Sequence, residues 1–590
     1  MRSRNRQYNV RGRALFVGVA LAFASSALVA RAGYLQLVNN DFLQQQGDAR
    51  FLREIPIPVS RGMITDRNGE PLAVSSPVES IWANPQALLQ HAGRIPELAG
   101  ALRTDEAALA ERIQARADRE FVYLRRHMNP DDAEAILALG IPGVHSQREF
   151  RRFYPQGEVV AHVLGFTNID ERGQEGLELA FDEWLTGREG RKRIIRDRRG
   201  RIVENVDLVR APEPGRDLAL SIDRRIQYLA WRELNAALQR HDASAGSVVV
   251  MDVRSGEILA MVNAPSYNPN ARHTAQRGAM RNRAVTDVLE PGSVIKTLTV
   301  AAALETGRVT PETVVPTSPG FMTVHRHTVR DIRNFGTLSV TGLLTKSSNV
   351  ASVKLAQDMP PEHLFDVLNR FGLGQPTGSG FPGEAAGVLP GVRNWGPVER
   401  ATISFGYGVS TTPLQLAQAY AAIGNGGRLV TPTFVHGGQV QSRQIIDPQL
   451  ARQLVDMLET VTGPEGSATR ARVMGYRVAG KTGTSRKASV GGYQRRYLSL
   501  FAGLVPASDP RLAMVVVVDD PKGEGYFGGL VAAPVFAGVM DGALRLLDVP
   551  PDASEQWYAQ LPPVVAPVYD DGAPAEAEVV PGAIPGSVGP

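Results

Sequence analysis

Ala14 to Ala30 (ALFVGVALAFASSALVA) is a run of 17 residues without a charge. It follows directly on a stretch that carries Arg2, Arg4, Arg6, Arg11 and Arg13 and no acid. This feature constrains the chain more than any other. A helix needs ~20 mostly apolar residues to span a bilayer. The run reaches that length by continuing past Arg31, which can snorkel to the interface, into the apolar turn Ala32 to Val38. Arginines on one flank hold that flank in the cytoplasm and send the other side across, so the bulk of the chain is expected outside the inner membrane. Ala30-Arg31-Ala32 offers an A-x-A cleavage site. It keeps a removed signal peptide as the alternative, although the apolar run exceeds the ~7–15 residues of such segments. The chain has no cysteine, which excludes disulfides, thiolate metal sites and a cysteine nucleophile. An exported chain that needs no oxidative folding suits a bacterial periplasm.

The formal charge of +4 rests on that basic head. Without its five arginines the chain carries 59 basic and 60 acidic side chains, so no nucleic-acid-binding face is indicated. The chain has 590 residues, 43% of them hydrophobic, enough for several packed domains of ~150 residues. Leu37 to Ile55 reads as a helical stalk. Residues 56–84 alternate turn signals with short strand-like runs. Residues 85–140 have helical spacing, as in ALRTDEAALAERIQARA, and 150–215 return to loops and strands. Beyond Pro212-Glu213-Pro214-Gly215, Ile222–Gln239 reads as an amphipathic helix, and Ser247–Val253 and Glu257–Val262 as two strands. A helix-rich stretch runs to about 465. Strands return at 472–482, 498–504 and 512–519, and a helix closes over Ala532–Leu547. Strands at both ends with helices between them predict one mixed sheet flanked by helices, in an α+β multidomain chain. From Val549 on there are nine prolines, six acids and no Lys or Arg, the composition of a disordered tail.

Three short motifs carry the chemistry. Ser293-Val294-Ile295-Lys296 is an S-x-x-K behind Glu290-Pro291-Gly292 and ahead of an apolar run, the pattern of a helix start. Positions i and i+3 share a helix face, which brings the Lys296 amine to the Ser293 hydroxyl. A hydroxyl becomes an effective nucleophile when a base takes its proton, and a buried lysine is driven toward the neutral form such a base requires. Ser347-Ser348-Asn349 is an S-x-N. Ser347 suits a proton relay and Asn349 a substrate amide, but in isolation a helix N-cap explains the motif better. Lys481-Thr482-Gly483-Thr484 falls on an expected strand. Lys481 and the hydroxyls of Thr482 and Thr484 suit a carboxylate, and Gly483 admits a substrate backbone. The N–H groups of Thr484 and Ser293 suit an oxyanion hole.

The order S-x-x-K, S-x-N, K-T-G, at intervals of 54 residues (293 to 347) and 134 (347 to 481), is far more specific than its parts. Penicillin-binding proteins and class A β-lactamases share this set. The chain resembles the class B penicillin-binding proteins, and within them the division-specific septal transpeptidases of Gram-negative bacteria. The resemblance extends to Arg61–Gly69 (RGMITDRNG), His162–Phe166, Gly173–Glu178 (GQEGLE), Asn268-Pro269-Asn270, Ser404–Gly408 (SFGYG) and Thr412–Leu416. It implies a cytoplasmic tail (1–13), a transmembrane anchor (14–37), a dimerisation or pedestal domain (50–214), a penicillin-binding transpeptidase domain of serine β-lactamase-like fold (215–548) and a free tail (549–590). It further implies Ser293 as acyl nucleophile, Lys296 as general base, Ser347 as relay and Lys481 as electrostatic partner of the carboxylate, with Asn349, Thr482, Gly483 and Thr484 binding substrate. No metal and no cofactor are implied. The implied ligands are peptidoglycan stem peptides and β-lactams. The implied partners are an FtsW-type glycosyltransferase and other division proteins. Elongation remains the alternative role.

One rival pattern is present. Gly475 to Thr482 matches the phosphate-binding G-x-x-x-x-G-K-[ST], but the polar, Gly-containing stretch after Lys481 has no helical period for a P-loop to open. His325 and His327 form an H-x-H without a third ligand nearby, and alternation on a strand accounts for them.

Overall fold

The computed structural model describes residues 10–35, 52–196, 202–489, 492–523 and 525–553. The chain divides into two compact units, Met1–Ser60 with Gly187–Gly215, and Arg61–Thr186 with Arg216–Pro590.

The first unit contains helix α1 (Val10–Gly33). Its 24 residues rise about 36 Å, longer than a hydrocarbon core of ~30 Å. The stretch Arg11–Gly33 is long and apolar enough to cross a membrane. The same unit holds an antiparallel sheet of Leu52–Ile57, Gly190–Arg196 and Ile202–Arg210, with Gly190–Arg196 in the middle. Of the expected helical stalk, residues 37–51 lie outside the described residues, and its end is corrected: Leu52–Ile55 belong to a strand, in keeping with the extended backbone favoured ahead of Pro56.

In the second unit the pedestal is built on strands β1 (Ile64–Thr65), β2 (Pro71–Ala83), β3 (Val122–Met128), β4 (Val144–Phe153) and β5 (Leu218–Ala219), in the order β5–β1–β2–β3 with β4 also on β2. Helices Ile95–Leu102, Glu106–Gln114 and Pro130–Ala138 cover one end. There Leu98, Leu102, Leu109, Ile113 and Ile136 join Ile81 and Leu124 in a small separate core. The helical spacing of 85–140 thus holds, interrupted by β3. The RGMITDRNG segment is architectural. Arg61 donates to Glu178 (2.7 Å) and Asp182 (2.6 Å), and Arg152 takes the other Glu178 oxygen (2.7 Å). Arg61, Arg152 and Glu178 are buried, and removing one of them would strand its partner.

The remainder of this unit opens with α2 (Arg224–Arg240), whose N-cap Asp223 accepts from the Arg225 amide. Strands β6 (Ala245–Asp252) and β7 (Ile258–Ala264) follow, then α3 (Lys296–Glu305), α4 (Val340–Lys346), α5 (Asn349–Gln357) and α6 (Pro413–Gly424). Strands β8 (Ala479–Ser489), β9 (Gly492–Val505) and β10 (Leu512–Asp519) and helix α7 (Ala533–Leu546) close it. The sheet order is β7–β6–β10–β9–β8 and every pairing is antiparallel. The expectation of a mixed sheet is corrected accordingly. Strand β6 is buried along its whole length, because helices cover both faces. A side chain at Gly503 would meet Phe536 of α7, whereas Leu504 packs against Gly424 of α6. Adjacent strand residues point to opposite faces, so α6 and α7 lie on opposite sides. Thr412 and Gln415 close a capping box on α6, the local reason for the T-P-L-Q sequence.

Strand β8 starts at Ala479 rather than at 472. Gly475, at φ +82°, lies between Val473 and Tyr476, which bridge to each other in a turn. The expected tail begins with residues that pack. The Val549 carbonyl accepts from Tyr476 Oη (2.6 Å), and Asp552 accepts from the amides of Arg477 (2.7 Å) and Ser508 (3.0 Å). Residues 554–590 lie outside the described residues.

Candidate active site

Ser293 lies in a 3₁₀ turn, Gly292–Ile295, that leads into α3. The α-helix itself begins at Lys296, one turn later than the sequence pattern suggests. Ser293 is half-buried, whereas Lys296 is fully buried. The turn is clamped from two sides. Buried Tyr420 donates to the Val294 carbonyl (2.9 Å) and bonds the Thr297 hydroxyl (2.9 Å). Gly406 of the SFGYG segment sits so close that a Cβ there would stand 2.1 Å from the Gly292 carbonyl oxygen. Only glycine permits that approach. Gly483 acts in the same way on the other side. Its Cβ would meet Val294 at 2.7 Å and the Pro291 carbonyl at 2.9 Å. The structure therefore puts the Ser293 turn against Gly483.

Ser347 ends α4 in the left-handed region, at φ 59° and ψ 43°. Such a conformation costs a non-glycine residue about 1–3 kcal/mol and persists only when its surroundings impose it. Ser348 caps α5 by accepting from Ala351 N, so the capping role belongs to the middle residue of S-x-N. Asp331 imposes the geometry. It accepts from Ser348 Oγ (2.6 Å) and from the amides of Asn349 (2.5 Å) and Val350 (3.1 Å). Asn349 Nδ2 donates to the Arg330 carbonyl (2.9 Å).

Both lysines converge on Ser347. Lys296 Nζ donates to its carbonyl at 2.6 Å and to its hydroxyl at 3.3 Å, and Lys481 Nζ donates to that hydroxyl at 2.9 Å. Among the described residues no hydrogen bond links Lys296 to Ser293; the amine is held by Ser347. Burial, reinforced by the Lys481 charge, pushes Lys296 well below the ordinary lysine value, and Asp331 opposes that shift. Burial lowers Lys481 to about 7. Two amines that burial pushes toward the neutral form, joined by one hydroxyl, form a path for protons beside the Ser293 turn.

Strand β8 is an edge of the sheet. The Thr484 carbonyl lies 3.0 Å from where a Cβ on Gly292 would be. The carbonyl and N–H of a strand residue point the same way, so the Thr484 amide faces the Ser293 turn across the free edge. The Thr482 hydroxyl bonds Ser467 Oγ (3.0 Å), and the Thr484 hydroxyl accepts from Gly528 N (3.1 Å). Sequence reasoning misses Asp331 and Tyr420, which lie outside every motif. The signal for Asp331 was a lone acid in the basic stretch VRDIRNFG.

The P-loop pattern is overturned, because Lys481 is a fully buried strand residue and opens no helix. His325 and His327 do not alternate along one strand. They flank the reversal of a hairpin, Phe321–Val324 with His327–Arg330, in which Val324 pairs with His327 and His325 has φ 53°.

Two family models match the chain: "Penicillin binding protein transpeptidase domain" over residues 246–541, and "Penicillin-binding Protein dimerisation domain" over 56–220. A relative from Pseudomonas aeruginosa, named "Probable peptidoglycan D,D-transpeptidase PbpC", is 46% identical over 94% of this chain and 97% of its own. "Peptidoglycan D,D-transpeptidase FtsI" of Escherichia coli K12 is 45% identical over 91% of both chains. The crystal structure of penicillin-binding protein 3 from Mycobacterium tuberculosis, complexed with aztreonam, superposes with a TM-score of 0.64 at 27% identity, covering 84% of this chain and 98% of that one.

Proposed function

The chain belongs to the class B penicillin-binding proteins, and from that premise we propose that it is a serine D,D-transpeptidase that cross-links peptidoglycan stem peptides at the division septum. The septal role is favoured over elongation by the relative named FtsI. The observation that carries the chemistry is the Ser347 hydroxyl within hydrogen-bond reach of both Lys296 and Lys481.

In this reading neutral Lys296 takes the proton of Ser293 Oγ, which attacks the carbonyl carbon of the penultimate D-Ala. The Thr484 and Ser293 amides stabilise the oxyanion. The C–N bond breaks, and terminal D-Ala leaves with a proton delivered through Ser347. Cationic Lys481, with Thr482 and Thr484, holds the terminal carboxylate. Asn349 binds the donor amide, and Gly483 keeps the strand against the nucleophile. An amine of a second stem then attacks the acyl-serine, the C–O bond breaks, and Ser293 regains its proton. A β-lactam enters the same first step and remains as the acyl-serine.

The domain limits of 50–214 and 215–548 serve as the working division into pedestal and transpeptidase. α1 anchors the chain in the inner membrane, with residues 1–13 cytoplasmic and the bulk periplasmic. The partner that polymerises glycan is a glycosyltransferase of the FtsW type, within a larger division assembly. Fluorescent penicillin tests the core of the reading. The wild-type chain should label, the adduct should map by mass spectrometry to Ser293, and Ser293→Ala should abolish it. An adduct on another residue, or persistent labelling of the alanine variant, refutes the assignment.

A further inference from the structure

A polar cavity of about 390 Å³, lined by none of the residues assigned to the acylation site, opens where the end of β4 meets the Pro269–Thr274 3₁₀ helix. Arg151, Arg152 and Arg272 line it, with His127, His273 and Tyr154, and its lining contains no Asp or Glu. Its walls are fixed. Asn270 bonds both the amide (3.0 Å) and the carbonyl (2.9 Å) of Tyr154, and Tyr154 Oη accepts from Thr167 N (3.1 Å).

Two of its charges have no counter-charge. Arg152 is matched, because Arg61, Arg152, Glu178 and Asp182 form a balanced quartet. Its Nη2 nevertheless makes no hydrogen bond. Glu149, 3.6 Å from His127, is already engaged by Arg126, Ser80 and Tyr123. Arg151 and Arg272 form no ion pair among the described residues. Arg272 lies over the Phe166 ring at 4.0 Å. Burial holds His127 below its ordinary value, with Glu149 and Asp170 pulling it up and Arg126 and Arg151 pushing it down.

We propose that this cavity binds a phosphate-class dianion, a phosphate monoester or a diphosphate, at a site separate from acylation. Two uncompensated guanidiniums match two negative charges, and their planar forks suit phosphoryl oxygens. A single carboxylate could bridge both guanidiniums but would leave one positive charge uncompensated. The same chemistry arises from a free diphosphate or from the head of a lipid-linked one.

The test uses the full chain in detergent micelles at low salt. Calorimetric titration is run with inorganic pyrophosphate and, separately, with farnesyl diphosphate in the same micelles. Saturable binding of pyrophosphate supports a soluble source, and binding of farnesyl diphosphate alone supports a lipid-linked one. Arg151→Ala and Arg272→Ala should each weaken binding by about tenfold or more. Both should keep wild-type Tm and wild-type penicillin labelling, since neither residue belongs to the acylation site. Absence of saturable binding of both probes up to millimolar concentration, or unchanged affinity in both variants, overturns the proposal.

Discussion

Asp331→Ala removes the acceptor of three hydrogen bonds at the head of α5, from Ser348 Oγ and from the amides of Asn349 and Val350. A hydrogen bond to a charged group contributes about 1.5–3 kcal/mol. The carboxylate is half-buried, and water can reach the freed amides, so the net loss approximates one such bond rather than three. Release of Ser347 from its left-handed conformation then withdraws its hydroxyl from the two lysines. Together these effects amount to about 2–4 kcal/mol of lost transition-state stabilisation, or roughly 30- to 900-fold in the acylation rate at 1.36 kcal/mol per decade. Electrostatics works in the opposite direction. Asp331 opposes the lowering of Lys296, so its removal makes that amine still more neutral and cannot explain a loss. Asp331→Asn keeps an oxygen for the two amides and should lose about tenfold or less. The assay is the second-order acylation rate with fluorescent penicillin, with Tm as the check on folding. An alanine variant within about threefold of wild type, or an asparagine variant as impaired as alanine, would refute the positioning argument.

Three further expectations follow from the site and its surroundings. Lys481, held near 7 when folded against an unfolded value of about 10.4, makes the fold lose stability as pH falls from about 10 towards 7, with no further loss below; Lys481→Met should therefore raise Tm at neutral pH while abolishing acylation, and a lowered Tm would contradict the burial penalty. Gly483→Ala, whose methyl would press on Val294 and Pro291, should lower acylation by more than about 100-fold, because displacing the nucleophile's turn by about 1 Å is enough; wild-type labelling kinetics would show that the turn adapts. Truncation after Asp548 should lower Tm by roughly 2–4 °C, since it removes the partners of Tyr476, Arg477 and Ser508, whereas truncation after Ala553 should leave Tm and labelling unchanged; equal Tm values for the two truncations would refute the packing of 549–553.

The motif set was legible because the chemistry it implies demands particular residue types in a particular order, and Lys296, Ser347 and Lys481 do converge, with Ser293 in the turn that leads into the helix of Lys296. The strands of the central sheet were legible for a similar reason. Runs such as SVVVMD and LAMVVVVD fit only strands covered on both faces. Pairing direction was not legible, because β6 and β10 are buried throughout and carry no alternation that would specify it. The supports of the site were not legible either. Asp331 acts through the fold of a distant hairpin and Tyr420 through a helix on the far side of the turn, so neither leaves a local pattern. Gly483 illustrates a third kind of difficulty. A glycine in a strand signals a close approach, but the sequence does not say what approaches.

The central sheet also sets a timetable. Strand β6 lies between β7, which follows it at once, and β10, where Val248 faces Val516 across 268 positions of chain. At about 5–20 residues per second, that partner emerges roughly 15 to 50 s after β6. During this interval the chain presents an apolar strand with one edge unpaired, the kind of segment that recruits foreign strands. Nascent molecules of this protein should therefore depend on holdases at their site of emergence until β10 arrives, and slowing synthesis between residues 265 and 511 should lower the yield of folded enzyme without altering the stability of the molecules that complete the sheet.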